Sequence, residues 1–465
     1  MQRLLCCCVF VFGWSGAAAT RAAASEPGPL DRPCPVIEAV GEAVGDRRLG
    51  VFGPAVADNG TWGRVLISEV KAPDVTIQGL DIDDLGFSAG ISSASFGVEG
   101  RYFYPASSIK LFAAIAAFEQ IEGLSRLYGR PDANRVGRET PLSESTGMAV
   151  MPWSAPVLGS NPLLVSRAGD MRLDQAAHEA LVVSDNRAYN LLYDFLGQDD
   201  LALRMQAWGA WDSWVVHRLA LGESEFDGRR APRILIRAPG GQQIQIGERF
   251  SEISDRCLAG MKPTQEHRTP TEGYVVGSGY IADGMVVEGS FDFSGKNYAS
   301  LEDLQSVLCQ LVRPDVRIHL GCTGDQPVLA TTVLRMPVDS SLDLTDSQRA
   351  KLVRSATMRP RESRLPRYDP EQYPDDYVKF LLPGLIKVRP QEEWRVVNKI
   401  GLAYGFVTEN AYVEHLPTGN AVFVAAVIHR NPNGIYNDGI YDYDTTLAEM
   451  ATLGEVVGRA LVADD

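Results

Sequence analysis

The segment Ser107-Ser108-Ile109-Lys110 places a hydroxyl and an amine three residues apart at the start of an apolar stretch. Apolar side chains recur after it at helical spacing, which predicts a largely buried helix from about Ser107 to Phe118, entered through Pro105. Residues three positions apart lie on one face of a helix, so Ser107 and Lys110 should be neighbours. The segment therefore predicts a nucleophile and a base on one helical element.

Such a helix start favours covalent chemistry at Ser107. Free backbone N–H groups and the helix dipole stabilise negative charge at this end, as on an alkoxide or a tetrahedral oxyanion. An ammonium in apolar surroundings is poorly solvated, so the pKa of Lys110 should fall and a neutral amine becomes available to take the Ser107 proton. We therefore predict a serine acyl-transfer site, with Ser107 as the nucleophile and Lys110 as the base.

A Ser-x-x-Lys pattern alone is weak evidence, because average composition produces roughly one or two matches by chance in a chain of this length. Ser68-Glu69-Val70-Lys71 has the same spacing, but it lies in a strand-like run that ends at Ala72-Pro73. No apolar helix follows this second match, so we interpret Ser68 as a strand residue.

The first 24 residues have the layout of a cleaved signal peptide, with Arg3, an apolar run and small residues up to Ala24. Their removal takes away two arginines and changes the net charge from −15 to −17. A chain this acidic lacks a basic face for nucleic acid, and no second apolar run is long enough to span a bilayer. We expect a secreted or periplasmic monomer without stable membrane insertion.

Four cysteines follow the signal peptide, Cys34, Cys257, Cys309 and Cys322. An even number in an exported protein allows disulfides in three connectivities. Cys309 and Cys322 would close the shortest loop and are the preferred pair. The alternative is four buried thiols.

Residues 25–465 are interpreted as a single domain with insertions, because no Gly/Ser/Pro-rich linker divides them. Strand-like runs at about 35–105 and 300–465 predict a sheet lobe built from both ends of the chain. Residues 106–227 predict a helical lobe, and 228–300 a β-rich insertion.

Individual elements can also be predicted from periodicity and turn residues. Strands are expected at 64–70, 91–96, 395–400, 411–415 and 421–429, and helices at 173–183, 301–311 and 346–355. Thr446 and Glu449 are predicted to form a capping box at the start of a final helix.

Two further motifs carry polar groups suited to catalysis. In Ser184-Asp185-Asn186, the Ser184 hydroxyl can relay a proton and the Asn186 amide can hold a substrate carbonyl or Lys110, although such clusters also commonly end helices. On a predicted strand, Lys399 would present a cation and Gly401 would let substrate approach the backbone. The Leu402 N–H could then complete an oxyanion hole with the Ser107 N–H.

In this order, the three motifs resemble the penicilloyl serine transferases, and above all class A serine β-lactamases. Tyr104 to Leu111 is similar to the nucleophile segment, Val183 to Ala188 to the loop motif, and Lys399-Ile400-Gly401 to a Lys-Thr-Gly strand. The last strands and closing helix are similar as well, whereas about 228–300 and 356–394 lie outside the likeness.

The resemblance implies an α/β (α+β) fold of the β-lactamase and transpeptidase type. A mixed sheet flanked by helices would lie beside an all-helical lobe, with the site between them. The resemblance also implies hydrolysis of a small amide or ester, a β-lactam or a peptidoglycan-like molecule, through an acyl-enzyme and without a cofactor.

Two departures from the family pattern bear on activity. Ile400 replaces the hydroxyl residue that in the family helps bind the β-lactam carboxylate, and loss of such a hydrogen bond weakens binding roughly ten- to a hundredfold. A Glu-Pro-x-x-x-Asn type segment for deacylation is missing, and Glu223 and Glu225 are the available carboxylates. Without a general base, which contributes about 10²- to 10⁴-fold, an acyl-enzyme would persist.

Other polar residues favour structural roles. His217 is interpreted as structural, since Lys110 already supplies the base. The six histidines lack metal-ligand spacing, and the acidic run 437–444 does not match a calcium loop, so no metal is predicted.

Two alternatives to a β-lactamase-like hydrolase remain open. One is a D,D-peptidase or esterase of the same superfamily, for which Ile400 would suit a substrate without the β-lactam carboxylate. The other is a non-catalytic cell-wall-binding or sensor module.

Overall fold

The computed structural model describes residues 34–53, 60–71, 76–77, 80–81, 89–128, 147–150, 171–221, 228–237, 243–251, 273–319 and 342–463. The predicted signal peptide lies outside these residues, as do Glu223, Glu225, Cys257 and Cys322.

A six-stranded mixed sheet joins the two ends of the described chain. Its strands are β1 (Thr61–Lys71), β2 (Ala89–Gly97), β3 (Val316–His319), β4 (Trp394–Ala403), β5 (Phe406–His415) and β6 (Ala421–Arg430). The order is β3-β2-β1-β6-β5-β4, and only β3 and β2 pair in parallel. Strand β4, which contains Lys399, is therefore an edge strand of this sheet.

Helices surround the sheet and build the lobe beside it. They are α1 (Pro35–Gly45), α2 (Lys110–Tyr128), α3 (Leu173–Val182), α4 (Asn186–Leu196), α5 (Gln198–Ala207), α6 (Leu301–Val312), α7 (Asp346–Thr357), α8 (Leu382–Leu385) and α9 (Tyr443–Val462). Short 3₁₀ turns lie at Gly50–Phe52, Ala106–Ile109, Pro360–Glu362 and Gln391–Glu393.

Short strands form several small sheets away from the main one. One has the order Met171–Arg172, Gly147–Val150, Ile234–Arg237, Gln243–Ile246, and another has the order Met285–Glu288, Gly279–Ala282, Ile435–Tyr436. Two-stranded pairs join Thr76–Ile77 to Leu80–Asp81, Arg230–Ala231 to Arg249–Phe250, and Val275–Val276 to Phe291–Asp292.

The main sheet separates two apolar cores, and β6 shows the alternation that builds them. Val422, Val424, Ala426 and Ile428 face the core that includes α1 and α9. Phe423, Ala425 and Val427 face the core that includes α2 and α6. Burial on both faces explains why β6 reads as a continuous apolar run, and each large side chain buried there stabilises the fold by about 1.5–3 kcal/mol.

The predicted fold class is confirmed: helices flank both faces of a mixed sheet. Each of the five predicted strands lies within an observed strand of the main sheet. One addition to the prediction is the pair of short strands 147–150 and 171–172, which fall within the predicted helical lobe.

The predicted capping box at Thr446 is wrong. The N-cap is Asp442, four residues earlier, and helix α9 begins at Tyr443; the Asp442 carboxylate accepts a hydrogen bond from the Thr445 N–H at 3.3 Å. Glu449 instead accepts hydrogen bonds from the Arg430 guanidinium on β6 at 2.8 Å. Asp is as good an N-cap as Ser or Thr, so the earlier start costs the helix nothing.

The preferred disulfide between Cys309 and Cys322 is also wrong. Cys309 is a free, buried thiol on α6, whereas Cys34 is disulfide-bonded. The Cys309 side chain lies in the α2 and α6 core, and burial raises the pKa of its thiol to about 12. Among the residues that the structure describes, no helix combines the length and apolarity needed to cross a membrane.

Acid should destabilise the fold through His429. Its ring lies among Trp62, Phe406 and Tyr436, and burial lowers its pKa from 6.5 to about 4. The unfolded chain binds this proton below pH 6.5 and the folded chain only below about 4, so stability is lost as the pH falls through that interval. The loss should be about 3 kcal/mol for this residue.

His429→Gln keeps a neutral hydrogen-bonding group and should flatten this part of the pH dependence. Urea unfolding between pH 7 and pH 4 measures the effect, and equal slopes for the parent and the variant would contradict it. Some slope should remain, because burial also lowers the pKa of His217 to about 4.

Candidate active site

Ser107 lies in the 3₁₀ turn Ala106–Ile109, and the regular helix α2 begins after it at Lys110. Two hydrogen bonds close the turn: the Ser108 N–H and Oγ both donate to the Pro105 carbonyl, at 3.0 and 2.7 Å. Ala106 has φ +46°, a left-handed conformation that non-glycine residues rarely adopt. Such strain persists only where the surroundings hold the backbone, and here it precedes the predicted nucleophile.

Ser107 is the accessible residue of an otherwise buried segment. Every residue from Tyr102 to Glu119 is buried except Ser107, which is partly exposed. The sequence thus places its hydroxyl in reach of a solute while the supporting helix stays in the core.

The edge strand β4 lies directly against this turn at Gly401. A Cβ atom added to Gly401 would meet the Pro105 carbonyl oxygen at 2.2 Å and the Ser108 nitrogen at 3.2 Å. Both neighbours are backbone atoms that cannot turn away. Glycine is therefore required at position 401 for β4 to approach the 3₁₀ turn that carries Ser107, called the nucleophile turn below.

The Ser184-Asp185-Asn186 motif forms the junction between α3 and α4. Ser184 has φ +58°, and the Asp185 carboxylate caps α4 by accepting a hydrogen bond from the Ala188 N–H at 2.7 Å. Part of the motif thus has the helix-capping role expected of such clusters. Both the carbonyl and the hydroxyl of Ser184 contact lysines.

Lys110 and Lys399 meet at the Ser184 hydroxyl. The Lys110 ammonium donates to the Ser184 carbonyl, to Ser184 Oγ at 3.2 Å and to Asn186 Oδ1 at 2.7 Å. The Lys399 ammonium donates to Ser184 Oγ at 2.9 Å and to its neighbour's carbonyl, Ile400 O, at 3.1 Å. Ser184 Oγ consequently bridges two amines that come from a helix and a strand.

Burial controls the charge of both lysines. It lowers the pKa of Lys110 well below its usual value, and repulsion from Lys399 lowers it further, while Asp185 opposes the shift. Burial also lowers the pKa of Lys399 to about 7. The charge of Glu409 raises this pKa and the charge of Lys379 lowers it. Near neutral pH the site can therefore hold an amine and an ammonium together, which proton transfer through Ser184 requires.

A cleft of about 460 Å³ opens over this group. Among the residues singled out from the sequence, it is lined by Ser107, Ser184, Asn186, Ile400 and Leu402. The structure thus brings the predicted polar residues to one place: Lys110 and Lys399 bind Ser184 beneath the cleft, and Gly401 contacts the nucleophile turn.

Sequence reasoning missed the opposite wall of the cleft. It is formed by Asp376, Tyr377, Phe380 and Pro383, together with Leu447 of α9. Residues 376–383 lie in a stretch outside the family resemblance, where no motif marks them. The one available signal is Lys379, a lone charge within the apolar run from Val378 to Leu382.

This wall, residues 376–383, is fastened to the main sheet by a buried polar network. The Lys379 ammonium donates to Ala356 O, Val396 O and Asn398 Oδ1 at 3.0, 3.1 and 2.7 Å. Asn398 Nδ2 donates to Glu409 Oε1 at 2.6 Å, and Glu409 Oε2 accepts from the Phe380 N–H at 2.7 Å. The wall is therefore hydrogen-bonded to β4 through Val396 and Asn398, and to β5 through Glu409.

Ser68 and His217 lie apart from the cleft lining. Ser68 is fully buried in β1, where its hydroxyl contacts Ser93 Oγ at 2.7 Å, in agreement with its interpretation as a strand residue. The buried His217 contacts the Arg218 carbonyl through Nδ1 and accepts from the Asn297 N–H through Nε2. Within the described part of the chain, no group of three or more His, Cys, Asp or Glu residues is arranged to hold a metal ion.

The fold and this serine–lysine cleft belong to an α/β protein with a mixed sheet flanked by helices. Residues 92–238 match the model of the β-lactamase enzyme family, a range that includes Ser107, Lys110, Ser184 and Asn186. This part of the chain is therefore similar to the β-lactamase enzyme family.

Several solved structures have some likeness to the chain. They include a penicillin G acyl-enzyme of a PBP-A L158E mutant, at 14% identity and TM-score 0.43, over 93% of this chain and 98% of that one. A β-lactamase from Burkholderia ambifaria has 16% identity and a TM-score of 0.42, and the match covers 90% of this chain and 100% of that one. A β-lactamase from Sphaerobacter thermophilus DSM 20745 has 14% identity and a TM-score of 0.37, and the match covers 92% of this chain and 94% of that one. No curated protein matches the chain in sequence.

Gly401→Ala should impair acylation of Ser107 by about a hundredfold. The new methyl group collides with backbone atoms of the nucleophile turn, and a displacement of about 1 Å at a reacting centre costs about that factor. The release of nitrophenol from an activated nitrophenyl ester measures the rate. Gly45→Ala is the matched control, since an added Cβ there meets nothing within 4 Å; equal losses in both variants would contradict the prediction.

Proposed function

We propose that the protein is an exported serine hydrolase that cleaves small amides or esters through an acyl-enzyme on Ser107. The observation that carries the proposal is the position of Ser184 Oγ, which is held at 3.2 Å from Lys110 Nζ and 2.9 Å from Lys399 Nζ beneath an accessible serine. Export is supported by the signal-peptide layout of residues 1–24.

In the proposed acylation step, neutral Lys110 takes the proton from the Ser107 hydroxyl as Oγ attacks the substrate carbonyl. The backbone N–H groups of Ser107 and Leu402 stabilise the resulting oxyanion. The proton then passes from Lys110 through Ser184 to the leaving nitrogen or oxygen. The carbon–nitrogen or carbon–oxygen bond breaks, leaving an ester on Ser107.

Asn186 and Lys399 position and polarise this machinery. Asn186 Oδ1 holds Lys110 Nζ at 2.7 Å, and the Asn186 side chain also lines the cleft, where its amide can bind a substrate carbonyl. The ammonium of Lys399 orients Ser184 Oγ and places a positive charge under the developing oxyanion. Water then attacks the Ser107 ester, with Glu223 or Glu225 as the proposed carboxylate base.

A binding or sensor module without turnover explains the arrangement less well. Holding an ammonium out of water costs several kcal/mol, and this site buries two lysine side chains around a single hydroxyl. Binding a ligand in the cleft needs neither a bridged pair of lysines nor an accessible serine on a strained turn. Catalysis uses both.

Ser107→Ala should abolish covalent modification and hydrolysis. The parent, incubated with a fluorescent penicillin or with a nitrophenyl ester, should either release product or gain the mass of one acyl group. The variant should do neither, because it lacks the attacking oxygen. Intact mass and nitrophenol release are the measurements.

Ser68→Ala provides the control for this experiment, since Ser68 has the same spacing to a lysine but lies buried in β1. It should react like the parent. If the parent shows neither adduct nor turnover with any acyl donor, or if Ser107→Ala reacts as fast as the parent, the proposal fails.

The acylation rate should have a bell-shaped pH dependence. It should rise with pH as Lys110 loses its proton at a lowered pKa, and fall as the pH passes about 7, where Lys399 loses its charge. Lys399→Arg keeps a cation that does not titrate in this range, so the falling limb should disappear. A falling limb at an unchanged pH in Lys399→Arg would show that Lys399 is not its source.

A further inference from the structure

We propose that the cleft selects acyl donors that carry a cationic group and discriminates against those that carry a carboxylate, with Asp376 as the specificity-determining residue. The proposal rests on the proposed function, because it concerns the substrate of the same cleft. It goes further by assigning a charge to the substrate.

The composition of the cleft lining is the first observation. Phe380, Pro383, Ile400, Leu402 and Leu447 give it a predominantly apolar surface. Asp376 is the one charged side chain among its described lining residues. A carboxylate that entered would exchange water for hydrocarbon and meet a like charge, whereas a cation would gain a partner.

The two lysines beneath the cleft do not line it, so they cannot pair directly with a substrate carboxylate. The ammoniums of Lys110 and Lys399 are buried and donate to Ser184, Asn186 and the Ile400 carbonyl. Neither side chain lines the cleft. The side chain that follows Lys399 and lines the cleft is Ile400, which cannot donate a hydrogen bond to a substrate carboxylate.

Asp376 is free to act on a solute. Its side chain is exposed, and within the described residues it takes part in no ion pair. Its neighbour Asp375 differs in this respect, since that carboxylate pairs with Arg359 at 3.6 Å and Arg361 at 2.8 Å. The two adjacent acids thus have separate roles: one fastens the segment, and the other lines the cleft.

The backbone that carries Asp376 is fixed relative to the nucleophile. The Asp376 carbonyl accepts a hydrogen bond from the Lys379 N–H at 3.0 Å, and the Lys379 ammonium is anchored in the network described above. The backbone that carries this charge is therefore fastened to β4, the strand that contains Lys399. The acidic net charge of the whole chain, −15, also attracts cations toward it.

The test uses nitrophenyl esters of hexanoic acid, of its terminal trimethylammonio derivative and of adipic acid, which differ in the charge at the far end. The parent should prefer the cationic ester to the anionic one by about tenfold in kcat/KM, mainly through KM. Asp376→Asn should bring that ratio close to one, with each charged ester compared with the neutral ester on the same variant. Glu371→Gln removes an exposed carboxylate of the same segment that does not line the cleft; it is the matched control and should keep the preference.

A binding experiment separates this proposal from the proposed function. Calorimetry measures the binding of hexyltrimethylammonium and of hexanoate to two proteins: the Ser107→Ala variant, and the double variant that also carries Asp376→Asn. Tighter binding of the cation that depends on Asp376 supports the inference even if no ester is hydrolysed. Equal binding of the two ions, or a cation preference that survives Asp376→Asn, overturns it even if Ser107 proves to be the nucleophile.

Discussion

The site depends on the burial of two lysine side chains, Lys110 and Lys399, whose amino groups both contact the Ser184 hydroxyl. Each buried ammonium costs several kcal/mol unless it is hydrogen-bonded, and the acceptors here come from widely separated parts of the chain. Lys110 from α2 and Lys399 from β4 both reach Ser184, whose backbone is held in a left-handed conformation between α3 and α4. Lys110 finds its acceptors on the neighbouring α3–α4 junction, whereas Lys399 reaches Ser184 only when the sheet is docked against these helices.

The buried network behind β4 extends this dependence to the far wall of the cleft. Burial lowers the pKa of Lys379 and raises that of Glu409, and the Asn398 amide lies between them, accepting from one and donating to the other. The wall is thus joined to the sheet by a chain of hydrogen bonds rather than by a direct ion pair. This chain keeps the wall in register with the strand that presents Lys399.

The parts that could be predicted from the sequence are those that local patterns determine. The strands near the C-terminus, and the spacing from Ser107 to Lys110, each depend on a short stretch of chain. The structure has those strands and bonds Lys110 to Ser184, which lines the cleft together with Ser107. The helix start at Asp442 was missed because several polar residues in that turn can cap a helix, and burial decides among them only in the folded state.

Other errors have a tertiary cause. Cys309 has the spacing for a short disulfide loop with Cys322, yet its side chain points into the core between helices, which the sequence does not reveal. Asp376 and Phe380 reach the cleft because Lys379, Asn398 and Glu409 meet across two strands and a loop. A family motif marks residues that do chemistry, whereas these residues only shape the space around it.

The pairing of β1 with β6 has a consequence for the order of events during synthesis. Thr61 pairs with Arg430 and Glu69 with Val422, so β1 cannot gain this neighbour until residues 421–430 have been made. Ser107 and Ser184 are complete long before Lys399 exists. The ribosome must release the chain beyond Lys399 before the cleft can assemble, so a shorter nascent chain carries Ser107 without the strand that packs against its turn.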